Sequence, residues 1–125
     1  MLVGLGGAFG SVLRYLTSVL AVHWLGEQFP YGTLIVNLVG SFAIGLVHQV
    51  GSDTLLIPDN LRIFLTTGVM GGLTTYSTFS YETVRLIETG AWTQAWLNIA
   101  VTTTVAIGLC LLGMTAGRLL IGLRA

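Results

Sequence analysis

The chain reads as an all-α integral membrane protein of four transmembrane helices, with the third helix broken near its middle. Three observations lead there. Only 8% of the 125 residues are charged and 54% are hydrophobic, where a soluble domain of this size carries about 25% charged residues. Mean hydropathy is +0.86. The apolar residues fall into four runs of roughly the 20 residues that cross a bilayer, joined by the short connectors GEQFP, GSDTLLIPDN and TGAW, each with turn residues. Nothing is left over for a second domain, so residues 1–125 form one unit.

The first span runs from Leu2 to Trp24. Its opening, MLVGLGGAFG, has no basic stretch and no clear cleavage site, and reads as a span rather than a signal peptide. Gly6 and Gly10 make a GxxxG pair, which permits close helix approach. Arg14 lies deep enough that it must snorkel or pair. Two roles stay open for it: capping carbonyls of a broken helix or connector, or lending positive potential to a vestibule that draws in anions.

The second span runs from Tyr31 to Val50 and carries Thr33, Asn37 and Ser41 at i, i+4 and i+8, along one face. Serine and threonine hydroxyls bond their own i−4 carbonyls, so these either join helices or line an aqueous path. The Asn37 amide has two donor hydrogens and an acceptor that its own helix does not easily satisfy, which points to a pore or substrate contact.

The third span starts near Leu61, ends near Thr89 and is interrupted between Gly71 and Tyr76. The run GGLTTYSTFS holds two adjacent glycines and five hydroxyl residues besides Tyr76. Glycine weakens a helix by about 1 kcal/mol per residue. Unwound backbone at bilayer depth survives only inside protein or beside a watery cavity. The segment is therefore expected to expose backbone groups to an ion. Tyr76 and Phe79 flank the point where the helix resumes, with Ser77 and Ser80 between and after them. Aromatic rings have negative faces and positive edges, so a ring edge can meet an anion. Glu82 is the most embedded acid, placed for structure, gating or ion movement.

The fourth span runs from Trp92 to Leu120. Asn98 and Thr102 form a second polar row, Gly113 and Gly117 a second GxxxG pair, and Cys110 reads as a small apolar residue. With 17 glycines in all, tight packing is expected, including across a subunit interface. Trp24, Trp92 and Trp96, with His23 and His48, fall at span ends, as interfacial residues do.

Charge excludes several functions. There is no lysine, and five arginines balance five acids, so neither a nucleic-acid partner nor a polybasic anchor is indicated. The single cysteine and two histidines have no metal-ligand spacing. No nucleophile–base pair or phosphate loop suggests an enzyme. Arg62, Arg118 and Arg124 fall on one side of the membrane and Arg85 on the other, a bias small enough to leave insertion in both orientations open.

Over nearly its whole length the chain resembles the Fluc (CrcB-like) fluoride channels. The matching segments are GGAFGSVLRY in the first span, GTLIVNLVGSF in the second and GGLTTYSTFSYET in the third. The resemblance implies a passive, fluoride-selective channel in the bacterial inner (plasma) membrane that lets fluoride leave the cytoplasm and so gives fluoride resistance. It implies an antiparallel, dual-topology homodimer with two pores. By motif position it puts Asn37 at the pore asparagine, and Tyr76 and Phe79 at two ring positions that are normally both phenylalanine. It puts Gly71 and Thr74 where backbone carbonyls hold a central sodium ion, and Arg14 and Glu82 at the family's arginine and acid. Thr33, Ser77, Ser80, Asn98 and Thr102 complete the expected pore hydroxyls and amides. The alternative is a small proton-coupled multidrug-resistance-type transporter, which needs an acid in its first span; here that span carries Arg14 instead.

Overall fold

The computed structural model describes residues 1–53 and 56–124. Those residues are all helical or in turns, with no strand among them. α1 spans Leu2–Leu25, α2 Tyr31–Asp53, α3 Asp59–Ile63, α4 Gly71–Leu73, α5 Tyr76–Glu88 and α6 Trp92–Arg124, with a π-helical segment, Phe64–Met70, joining α3 to α4. α1, α2 and α6 are long and apolar enough to cross a membrane. The third segment is divided instead. Its two halves, 59–73 and 76–88, each give roughly 20 Å of helix.

Local chemistry sets the ends. α1 stops where Gly26 takes φ 90, and α5 is followed by Gly90 at φ 82; both are left-handed conformations that favour glycine. Pro58, extended at φ −61 and ψ 152, starts α3. The exposed Asp59–Arg62 pair at 3.3 Å lies in that first turn and adds little stability.

The break differs from its expected place. Gly71 is helical, at φ −62 and ψ −37, and Gly72 and Leu73 continue the helix. Only Thr74 (φ −84, ψ 155) and Thr75 (φ −155, ψ 115) are extended. The glycines serve a different purpose from unwinding. A Cβ on Gly72 would run into the Gly7 carbonyl and lie 3.0 Å from the Ser11 amide nitrogen. Gly72 therefore lets α4 lie against the α1 backbone.

Both GxxxG pairs work in the same way, within the chain. On α1, a Cβ at Gly6 would lie 2.7 Å from the Phe64 carbonyl oxygen, and one at Gly10 would strike the Val69 carbonyl. On α6, Gly113 faces the Phe42 carbonyl and Gly117 lies over Gln49, while Gly45 of α2 faces the Cys110 carbonyl. These pairs hold α1 to the π segment and α2 to α6, so they are not available to a subunit interface. In lipid, where helix association gains little from apolar burial, such close backbone contact is the main attraction. The buried apolar core is correspondingly small: Ala21, Val36, Val69, Leu73, Phe79 and Ala95.

Candidate functional site

The break is held by one side chain. The Asn37 Nδ2 donates to the Thr75 carbonyl at 3.2 Å, and the Thr75 amide donates to Asn37 Oδ1 at 2.8 Å. The amide of α2 thus pairs with an extended residue as a neighbouring strand would. One consequence follows for α4. In an unbroken helix the Thr75 amide would bond the Gly71 carbonyl, and here it is turned to Asn37 instead. The Thr78 amide is likewise taken by Thr75 Oγ1 at 3.1 Å, which caps α5. The carbonyls of Gly71 and Thr74 are left free of those helical partners.

Beside the break lies a cavity of about 460 Å³, open along one side. α2 contributes Asn37, Gly40, Ser41 and Ile44. The divided segment contributes Thr66, Met70, Gly71, Thr74 and Thr75, followed by Tyr76 and Phe79 of α5. Thr102, Thr103, Ala106 and Ile107 of α6 close the far wall. None of the described lining residues carries a formal charge. The rings of Tyr76 and Phe79 are 5.5 Å apart at 54°. Phe79 is buried, whereas Tyr76 is 80% exposed and stands at the open side.

The structure therefore gathers Asn37, Tyr76, Phe79, Thr102, Gly71 and Thr74 around one groove. It separates the rest. Thr33 and Glu82 face each other and line a second cavity, of about 120 Å³, at the α1–α2 turn. A third, of about 210 Å³, sets Glu82 beside Glu27 and Arg85. Ser77 contacts Thr75 Oγ1 at 3.3 Å, and Ser80 donates to the Tyr76 carbonyl at 3.0 Å. Asn98 is 1% exposed and lies between α5 and α6, away from the groove lining. Arg14 Nε and Glu82 Oε1 are buried without a partner among the described residues.

Most hydroxyl protons near the groove are already in use. Ser41 donates to the Asn37 carbonyl at 2.7 Å, Thr66 to Arg62 at 2.8 Å and Thr74 to Met70 at 2.8 Å. Each is an i−4 bond that ties the proton to its own helix. Thr102 donates to Asn98 Oδ1 at 3.3 Å, so among the described residues the donors left to the groove are the second Asn37 N–H, the Tyr76 phenol and the Thr103 hydroxyl. Thr103, Thr66 and Met70 were not singled out by sequence. Thr66 and Met70 come to the wall through the π segment, whose wider turn carries no residue signature.

Comparison with known proteins shows the family. The family model described as CrcB-like protein, Camphor Resistance (CrcB), matches residues 1–114. A fluoride-specific ion channel FluC of Sorangium cellulosum is 47% identical over 119 residues, covering 95% of this chain and 94% of that protein. The protein of the same name from Clostridium perfringens is 44% identical over 120 residues, covering 96% and 94%. The one from Geobacter metallireducens is 47% identical over 116 residues, covering 93% and 94%. With the family model matching residues 1–114 and these relatives matching over nine-tenths of both chains, the chain belongs to the CrcB-like protein family.

Proposed function

We propose that this chain is a fluoride-selective anion channel that passes fluoride passively out of the cytoplasm across the bacterial inner membrane and so confers fluoride resistance. The observation that carries this reading is the groove lining: neutral donors and ring edges, with no fixed cation. Fluoride is small and holds its water tightly, so a pore must replace that water with donors. The Asn37 N–H, the Thr103 hydroxyl and the edges of the two rings supply them. A fixed arginine would hold the ion; several weak sites let it leave. At position 76 the phenol adds a donor hydroxyl to the ring edge.

The working unit is an antiparallel, dual-topology homodimer with two pores. Support comes from the open side of the groove and the exposed Tyr76 ring there, which a second copy would cover. A sodium ion at the centre of that dimer fits the donors present. Gly71 and Thr74 offer carbonyls without helical partners, and hard cations prefer such oxygens. These residues would hold it, and its charge would offset that of the carbonyls and of nearby anions. The proton-coupled transporter reading gains no support, because α1 carries no acid.

The test is fluoride efflux from loaded liposomes, followed with a fluoride electrode after a potassium ionophore sets the voltage. Wild-type protein empties the vesicles; no flux would overturn the assignment. Phe79→Ile keeps an apolar side chain but removes the ring edge, and is expected to slow efflux by about tenfold, the scale of one aromatic contact. Gly40→Ala places a methyl against Thr74 Cγ2. Thr74 must then either turn its side chain, giving up its bond to the Met70 carbonyl, or shift with the extended backbone. Overpacking of this kind costs about 1–3 kcal/mol, so a lower melting temperature and slower efflux are both expected.

A further inference from the structure

A chain of three hydrogen bonds links the groove wall to the helix that carries the rings. Thr102 Oγ1 donates to Asn98 Oδ1 at 3.3 Å, Asn98 Nδ2 donates to Thr83 Oγ1 at 3.0 Å, and Thr83 Oγ1 donates to the Phe79 carbonyl at 2.7 Å. Asn98 is 1% exposed, Thr83 7% and Phe79 7%. Thr102 and Phe79 both line the groove, while Asn98 and Thr83 do not.

The placement matters because α5 is a short helix on an extended hinge. It has 13 residues and follows the Thr74–Thr75 break directly. The Asn37 clamp fixes where α5 begins; by itself it does not set how α5 is turned about its own axis. Phe79 and Thr83 are one turn apart on the same face, so a bond to Thr83 fixes the direction in which Phe79 points. Tyr76, one turn earlier, follows.

We propose that Asn98 is a positioning residue: it locks the rotation of α5 against α6 through Thr83 and thereby sets the ring edges at the ion path, without touching the ion. This rests on the fluoride-channel reading for its functional half only. The orientation of the amide is specific. Its nitrogen donates to Thr83 while its oxygen accepts from Thr102. Asn98→Asp keeps the shape and, ionised, has no donor. Thr83 must then turn its proton to the carboxylate and release the Phe79 carbonyl.

Two measurements test it, each on monodisperse protein. The first is fluoride efflux per reconstituted channel. Asn98→Asp and Thr83→Val are each expected to slow it by about tenfold, the scale of one buried hydrogen bond. Their combination should be no slower than the worse single variant, and Thr83→Ser, which keeps the hydroxyl, should match wild type. Slow Asn98→Asp with normal Thr83→Val would make Asn98 an ion contact and overturn the proposal. So would normal efflux in both, or additive losses. The second measurement is ¹⁹F NMR of protein labelled with 3-fluorotyrosine, with the Tyr76 signal assigned by Tyr76→Phe. Asn98→Asp and Thr83→Val should shift that signal and Thr83→Ser should not; an unmoved signal in both overturns the positioning role even if wild-type protein passes no fluoride. Wild-type protein that passes no fluoride but shows the expected shifts would instead refute the channel reading alone.

Discussion

Asn37→Asp is expected to cut fluoride efflux by about 100-fold. The change is nearly isosteric, so packing is preserved, yet two things are lost together. The Nδ2 bond to the Thr75 carbonyl disappears, and a carboxylate oxygen then faces that carbonyl across the break. The second N–H, which faces the groove, is replaced by a negative charge in the path of an anion. Two unit charges about 4 Å apart at an effective dielectric near 20 interact by about 4 kcal/mol, and about 2.7 kcal/mol of that suffices for 100-fold. Asn37→Ala removes the clamp without adding charge, so its loss should be smaller. Acidifying the medium until the introduced carboxyl is protonated restores a donor and should recover part of the Asn37→Asp loss. Equal efflux in wild type and Asn37→Asp would exclude Asn37 from the path.

Gly10→Val should have the largest effect on the fold itself. A Cβ at position 10 would strike the Val69 carbonyl and lie 2.9 Å from both the Val69 carbonyl carbon and the Leu73 amide nitrogen. All are backbone atoms, so no side chain can move aside. The helices must separate, and α1 would lose its contact with the π segment and α4 together. Overpacking normally costs about 1–3 kcal/mol; here the upper end or more is expected, with loss of monodisperse protein on size-exclusion chromatography. Gly4, on the same helix, has nothing within 4 Å of an added Cβ. Gly4→Ala should leave the melting temperature unchanged or raise it slightly, and a normal Gly10→Val protein would show that the α1 contact is loose.

What could be read from sequence follows from which residues have a single physical use. Asn37 stood out because an amide on an apolar helix cannot satisfy itself, and the structure gives it a specific partner, the Thr75 backbone. Gly71 and Gly72 misled about the exact place of the break. A glycine pair weakens a helix whether it is needed for unwinding or for close approach, and here the α1 backbone, not an ion, required the missing Cβ of Gly72. The π segment was invisible because no residue type encodes it. The hydroxyls of Ser41 and Thr74 looked like donors for an ion, but a sequence does not say which way an O–H points; each bonds its own helix. Asn98 was legible as a polar residue in a span, not as a clip, because its partner Thr83 lies 15 residues away on the other side of a turn.

The central claim is that fluoride is carried past neutral donors and ring edges and not past fixed cations or by proton exchange. Liposomes loaded with both fluoride and chloride, at the same pH inside and out, test it most directly under a potassium diffusion potential. Fluoride should leave while chloride stays. Equal loss of chloride, or fluoride efflux only when a proton gradient is imposed, would contradict the account.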